Sequence, residues 1–159
     1  MRNTLFLIGL ILIFSCKEPK NTKVYTGENV FNDLVNLEGK SFDTTSLKGK
    51  KVLVNFWATW CAPCKNEMPD LLEVQKILTK ENYVFLLISD ESTAQILEFK
   101  RETKYDFTFL KSTKPTSSLG IYALPTTFIY NEKGEMVDKI IGAVEWNSEK
   151  MIHKLKNIK

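Results

Sequence analysis

Two cysteines separated by two residues are the feature of this sequence with the clearest chemical meaning. Cys61 and Cys64 lie in the segment FWATWCAPC at residues 56–64, after a β-branched and aromatic run and before a helical pattern. The first turn of a helix offers unpaired N–H groups and the positive end of the helix dipole, and both favour a thiolate over a thiol. We therefore expect Cys61 to ionise readily and to attack disulfide bonds.

Cys64 is placed to complete such an exchange. It follows Cys61 by three residues, so the two side chains share one helix face and Cys64 can attack a mixed disulfide formed at Cys61. Pro63 suits the first helical turn, where a backbone N–H has no helical partner. The pair then serves as a redox-active disulfide that needs no other cofactor and no metal.

Three other uses of the cysteine pair have to be weighed. Structural zinc usually needs four ligands, and only Cys16 and His153 remain to complete such a site. A purely structural disulfide between residues so close in sequence closes a very small loop and stabilises little. Two thiolates can hold Cu(I), so a copper-binding module stays open as a non-enzymatic alternative.

The N-terminal residues differ from the rest of the chain. Arg2 precedes an uninterrupted apolar run at residues 5–14, which ends shortly before Cys16. A membrane-spanning helix needs roughly 20 apolar residues and this run is about half that, so the pattern predicts a signal peptide over residues 1–15. The polar composition that follows predicts a flexible tether over residues 16–29. An uncleaved anchor or a disordered tail is the alternative.

The remaining residues, 30–159, predict one α/β domain with a mixed sheet flanked by helices, because β-rich runs alternate with helical patterns. Strands are predicted at residues 52–59, 83–89, 126–130 and 136–141, and helices at residues 61–80, 92–105 and 148–158. The last two strands form an antiparallel hairpin. The apolar face of the first helix should contain Met68, Leu71, Leu72, Gln75 and Leu78, with Pro69 kinking it.

Size and charge exclude several classes of protein. With 159 residues, of which 43% are hydrophobic and 26% charged, the chain has the length and composition of one domain with an ordinary core. Its formal net charge of +3 is too small to indicate a nucleic-acid partner. We expect a monomer that does not bind nucleic acid.

Several motifs together resemble those of a known family. They are VNFWATWCAPC at residues 54–64, Pro69, LPTTF at residues 124–128, and Gly142. In order and spacing they are similar to the thioredoxin superfamily, and within it to the TlpA/ResA-like branch of membrane-anchored thiol-disulfide oxidoreductases. The resemblance covers residues 31–159 and implies a thioredoxin fold with an N-terminal hairpin and a central strand-helix insertion.

The resemblance also implies a substrate-binding surface. In the family, the proline that matches Pro125 follows a cis peptide bond and lies beside the active disulfide. The backbone of Leu124 would then pair with an extended substrate segment. Trp60, Ala62 and Pro63 would complete this surface around the cysteines.

The resemblance implies a further role for an acidic residue. Glu67 matches a carboxylate that lies near the cysteines in the ResA-like branch and modulates their protonation. The alternative is a solvated charge on the outer face of the helix. Asn55 stands where thioredoxin has a buried aspartate, so the proton acceptor thought to serve the resolving thiol is missing.

The segment IFSC at residues 13–16 resembles the lipobox of bacterial lipoproteins and implies lipid attachment at Cys16. The chain would then act in the cell envelope, outside the cytoplasm, at a membrane surface. The family implies a disulfide reductant that takes electrons from a membrane thiol donor and passes them to exported proteins such as apocytochrome c. A disulfide oxidant or isomerase would use the same residues, because reduction potential sets the direction. A peroxidase is disfavoured, because the proline, threonine and cysteine motif of peroxiredoxins is absent.

Overall fold

The computed structural model describes residues 30–159. The predicted signal peptide, the predicted lipid-attachment residue Cys16 and the predicted tether lie outside the described residues. No helix within residues 30–159 combines the length and the apolar character that crossing a bilayer requires.

Six strands and three helices make up the described part of the chain. The strands are β1 (Leu34–Val35), β2 (Lys51–Phe56), β3 (Tyr83–Ser89), β4 (Thr108–Ser112), β5 (Thr126–Tyr130) and β6 (Met136–Ile141). The helices are α1 (Ala62–Leu78), α2 (Thr93–Thr103) and α3 (Glu149–Lys156), with short 3₁₀ turns at Thr44–Leu47, Thr79–Glu81 and Thr116–Leu119.

All six strands belong to one mixed sheet in the order β1-β4-β3-β2-β5-β6. Strands β2, β3 and β4 run parallel, whereas β1, β5 and β6 each pair antiparallel with their neighbours. The predicted sheet flanked by helices and the predicted β5–β6 hairpin are confirmed. An antiparallel bridge between Val35 and Ser41 forms the N-terminal hairpin, and α2 with β4 occupies the predicted insertion.

Strand β2 lies at the centre because its side chains are apolar on both faces. Leu53 packs into the core that α1 covers, while Val54 and Phe56 point into the core on the opposite face. A strand buried on both sides is a nearly continuous apolar run, which is what β2 has. This strand therefore provides a rigid base for the loop that follows it.

Helix α1 buries one face along its whole length, although the predicted face was partly wrong. Val74 is fully buried, whereas Gln75 is only half-buried and its amide donates to the carbonyl of Asp106 at 3.4 Å. Val74 lies three residues after Leu71 and four before Leu78, so it continues the apolar stripe at helical spacing. The helix is continuous through Pro69.

Strand β2 is shorter than predicted. It ends at Phe56 rather than at residue 59, because the chain turns away from the sheet after Trp57, whose N–H still donates to the carbonyl of Ile88 at 3.0 Å. The turn closes when the N–H of Cys61 donates to the carbonyl of Ala58 at 3.1 Å. These residues therefore form the loop that presents the cysteines.

Candidate active site

The two cysteines and the predicted substrate segment lie at the same edge of the sheet. Phe56, the last residue of β2, pairs with Thr126, the first residue of β5. The chain runs from Phe56 into the cysteine loop, and Pro125 directly precedes Thr126. Strand register therefore brings two loops that are distant in sequence to one side of the molecule.

Cys61 and Cys64 are joined by a disulfide, with their Cα atoms 5.3 Å apart. Cys61 is the N-cap residue of α1, and its Sγ accepts a hydrogen bond from the backbone N–H of Cys64 at 3.3 Å. Pro63 occupies the first turn of the helix, as we predict. A backbone donor aimed at this sulfur favours its ionised form once the disulfide is reduced. The geometry is that of a nucleophilic sulfur at a helix start.

Exposed apolar side chains occur in the cysteine loop and in the segment before Pro125. Trp60 is 72% exposed and Tyr122 is 86% exposed, while Ala62 and Pro63 are exposed and Leu124 is half-buried. Because these two loops meet at one edge of the sheet, their exposed apolar side chains are candidates for a binding surface. We call Trp60, Tyr122 and Leu124 the apolar rim.

Pro125 is buried at the start of β5, and the peptide bond that links it to Leu124 is cis. Its carbonyl accepts a hydrogen bond from the N–H of Gly142 at 2.8 Å. Gly142 has a φ of 89°, a left-handed conformation that favours glycine. This contact extends the β5–β6 pairing to the edge of the sheet, and it gives a structural reason for the glycine in the family motif.

Glu67 is buried one helical turn after Cys64, with 4% of its surface exposed. Its Oε2 accepts hydrogen bonds from the indole Nε1–H of Trp146 at 2.9 Å and from the N–H of Val144 at 3.2 Å. Its Oε1 accepts from the side-chain amide of Asn55 at 2.9 Å. The alternative of a solvated charge on the helix face is therefore wrong for this residue.

Burial raises the pKa of Glu67, because removal from water penalises the charged carboxylate. The hydrogen bonds from Trp146, Asn55 and Val144 oppose this shift, while the nearby charge of Asp70 adds to it. Burial has the largest effect, so the net direction is upward. The carboxyl group is thus a candidate for taking up and releasing a proton one helical turn from Cys64.

Asn55 connects Glu67 to the sheet. Its amide nitrogen donates to Glu67 and also to the hydroxyl of Thr127 at 3.0 Å, while its Oδ1 has no hydrogen-bond partner among the described residues. Turning the amide by half a rotation would offer Oδ1 as an acceptor to a protonated Glu67 and to the Thr127 hydroxyl. The site can therefore accommodate Glu67 in either protonation state.

The sequence did not single out Trp146, Tyr122 or Glu91 as site residues. Trp146 donates to Glu67 across 79 positions of sequence, and Glu91 binds Thr59 beside the cysteine loop. Trp146 lies outside every predicted element, so its chemical type was the only available signal. Among residues 30–159, no group of three or more histidine, cysteine or acidic side chains could hold a metal ion.

The sequence matches the Redoxin family over residues 19–157. It is 36% identical over 124 residues to the thiol-disulfide oxidoreductase ResA of Bacillus cereus, which covers 76% of this chain and 72% of that protein. The fold is similar to an exposed lipoprotein thioredoxin of Streptococcus pneumoniae, with a TM-score of 0.66, 25% identity, and coverage of 79% of this chain and 97% of the other. It is also similar to a DsbE-type thiol:disulfide interchange protein of Chlorobium tepidum, with a TM-score of 0.68, 18% identity, and coverage of 82% and 97%.

Proposed function

This chain belongs to the Redoxin family and, within it, to the ResA/TlpA-like thiol-disulfide oxidoreductases. We propose that it reduces disulfide bonds of exported proteins outside the cytoplasm. It is an oxidoreductase of the thioredoxin type. The observation that carries the proposal is the disulfide between Cys61 and Cys64 at the start of α1.

The reaction starts from the reduced protein. The Cys61 thiolate attacks one sulfur of a substrate disulfide, a Cys61–substrate bond forms, and the other substrate sulfur leaves as a thiolate that takes up a proton. Cys64 then loses its proton and attacks the Cys61 sulfur, which forms the Cys61–Cys64 disulfide and releases the second substrate thiol. Two electrons and two protons pass from the protein dithiol to the substrate.

Glu67 is our candidate for the proton acceptor of Cys64. It lies one helical turn away on the same buried side of α1, and burial raises its pKa. Asn55, which replaces the aspartate of thioredoxin, cannot accept the proton itself but binds the Glu67 carboxylate at 2.9 Å. We propose that Glu67 and Asn55 together take over the proton transfer that the buried aspartate is thought to perform in thioredoxin.

We propose that substrates bind as extended segments at the apolar rim and Pro125. Leu124 precedes β5 outside any strand, so its backbone is available to pair with an incoming chain. An unfolded exported protein such as apocytochrome c exposes both apolar side chains and unpaired backbone groups, which suits this surface. The physiological partners would be protein thiols and disulfides of the cell envelope, with a membrane thiol as electron donor and the chain acting as a monomer.

Trapping of mixed disulfides tests this proposal. In the Cys64→Ala variant the Cys61–substrate disulfide cannot be resolved, so we expect adducts with exported proteins in the envelope fraction. The matched control is Cys61→Ala, which leaves only the buried Cys64 of the redox pair and should form none. Absence of adducts in the native envelope, together with no reduction of insulin by the wild type, would contradict the proposed function.

The direction of electron flow needs its own measurement. A reductant should have a lower reduction potential than its trapped substrates, whereas an oxidant or isomerase should have a higher one. Equilibration of the Cys61–Cys64 disulfide with glutathione buffers gives this potential. A strongly oxidising reduction potential would mean that the protein oxidises its substrates instead of reducing them. The assignment as an oxidoreductase would be unchanged.

We also propose that Cys16 carries a lipid anchor and that residues 16–29 are a tether to the membrane. Support comes from the IFSC segment and from the exposed lipoprotein among the similar structures. Labelling with a radioactive fatty acid should mark the wild type but not Cys16→Ser. An unlabelled wild type would remove the anchor and leave the chemistry of Cys61 and Cys64 untouched.

A further inference from the structure

Two adjacent carboxylates follow the end of β3, and each binds a threonine in a different loop. Glu91 accepts the N–H of Thr59 at 2.7 Å on Oε2 and the hydroxyl of Thr59 at 2.6 Å on Oε1. Asp90 accepts the N–H of Thr116 at 2.8 Å and the hydroxyl of Thr116 at 3.2 Å, both on Oδ2. Each carboxylate thus fixes both the backbone and the side chain of its threonine.

The contact between Glu91 and Thr59 holds the loop that carries the nucleophile. Thr59 lies two residues before Cys61, inside the turn closed by the hydrogen bond from Cys61 to Ala58. Glu91 is itself held, because the hydroxyl of Ser89 donates to Oε2 at 3.1 Å and the Lys111 ammonium donates to the Glu91 carbonyl at 3.0 Å. The position of Cys61 at the start of α1 therefore depends on a side chain two residues after the end of β3.

The contact between Asp90 and Thr116 holds the other loop. Thr116 begins the short 3₁₀ turn that leads towards Pro125, and its carbonyl accepts the N–H of Ile121 at 3.1 Å. The next residues carry Tyr122 and Leu124 of the apolar rim. Asp90 therefore fixes the start of the segment that we propose to bind substrate.

We propose that Asp90 and Glu91 are positioning residues with separate tasks: Glu91 holds Cys61 in place for attack, and Asp90 holds the rim for substrate binding. This inference rests on the proposed function. Because the two carboxylates are neighbours in sequence and bind different loops, their removal should affect different kinetic constants. A purely structural role would weaken the whole fold, so each variant would both slow the reaction of Cys61 and raise KM for insulin.

The kinetic test compares Glu91→Ala with Asp90→Ala in the full-length protein. In Glu91→Ala we expect the reaction of Cys61 with a small aromatic disulfide to slow about tenfold, because displacement of a reacting group by a fraction of an ångström is costly, with KM for insulin unchanged. In Asp90→Ala we expect KM for insulin to rise about tenfold, with the small-disulfide reaction unchanged. Asp90→Asn keeps an acceptor oxygen for Thr116 and should restore KM.

Two further measurements make the outcome decisive. Amide hydrogen exchange should quicken at residues 59–61 in Glu91→Ala and at residues 116–124 in Asp90→Ala, and neither should affect the other loop. The control is Glu98→Ala, which removes an exposed carboxylate of α2 that forms an ion pair with Arg101 at 3.6 Å. The inference would be overturned if each variant both slowed the small-disulfide reaction and raised KM for insulin, if the kinetics were unchanged, or if exchange quickened in both loops in each variant. A wild type without any disulfide exchange would instead contradict the proposed function.

Discussion

The carboxylate on the buried face of α1 and the two carboxylates that follow β3 have different surroundings. Glu67 is 4% exposed and accepts hydrogen bonds from an indole, a backbone amide and a side-chain amide. Glu91 is half-buried and Asp90 is exposed, and each accepts from the N–H and the hydroxyl of a threonine. The number of hydrogen bonds is similar, so burial is the main difference.

Burial decides what each carboxylate can contribute. Hydrogen bonds in a low-dielectric interior are stronger, and a donor left without its acceptor there is costly. Burial also raises the pKa of Glu67, so its charge can change during proton transfer. At the solvent edge, water can replace a lost contact, and the carboxylates there chiefly set loop geometry. The comparison predicts large stability effects at Glu67, small ones at Glu91 and Asp90, and kinetic effects at all three.

The largest loss of stability should follow Glu67→Leu. The indole N–H of the fully buried Trp146 and the N–H of Val144 would lose their acceptor, which should lower the free energy of unfolding by about 3 kcal/mol. Urea denaturation with an unchanged m-value measures this change. Glu67→Gln is the matched control and should lose only about 1 kcal/mol, because the amide oxygen can still face Trp146. Equal losses in the two variants would show that shape rather than hydrogen bonding determines the effect.

A smaller effect should be visible in the pH dependence of stability. Because burial raises the folded-state pKa of Glu67 above its ordinary value of 4.5, the folded protein binds more protons than the unfolded protein between these two values. The contribution of Glu67 to stability is therefore fully present below about 4.5 and decreases as pH rises through the folded-state pKa. Urea midpoints of the wild type, relative to Glu67→Gln, should fall over this window. Parallel pH profiles would contradict the burial argument.

Thr59→Val should reduce stability by about 1 kcal/mol. The substitution removes the hydroxyl that donates to Glu91 at 2.6 Å, keeps the side-chain shape, and leaves the N–H contact in place. A double-mutant cycle with Glu91→Gln should give a coupling energy of similar size. A coupling energy near zero would show that this contact does not stabilise the cysteine loop.

The smallest effect on stability is expected for Asp90→Asn. The side chain is exposed and the amide oxygen can still accept from Thr116, so the free energy of unfolding should change by less than about 0.5 kcal/mol. Thermal and urea unfolding measure this directly. A loss as large as that of Glu67→Leu would remove the distinction between the buried and the edge carboxylates.

Several features of the fold and site could be predicted from the sequence because they depend on local patterns. The apolar run of β2, the start of α1 at the cysteines, and the β5–β6 hairpin follow from residue type and spacing over short distances. Strand ends were less predictable: β2 stops at Phe56 because the residues after Trp57 form a turn closed by the hydrogen bond from Cys61 to Ala58. The burial of Val74 could have been predicted from its spacing of three residues from Leu71 and four from Leu78.

The contacts that organise the site could not be predicted, because their partners are far apart in sequence. Trp146 and Glu67 are separated by 79 residues, Glu91 and Thr59 by 32, and Asp90 and Thr116 by 26. No local pattern distinguishes a carboxylate that will be buried from one that will be solvated. Only the packing of α1 on the sheet decides that Glu67 loses its water.

The sequence by itself determined the reactive pair, its place at the start of a helix, and the order of the elements around it, since these depend on neighbouring residues. The tertiary structure alone decided how deeply Glu67 is buried and which loops Asp90 and Glu91 hold. The physical reason is that hydrogen bonding and desolvation depend on distance in space, and here strand pairing and helix packing set those distances. A glutamate on the buried face of α1, Glu67, therefore has a raised pKa, whereas a glutamate after the end of β3, Glu91, holds a loop.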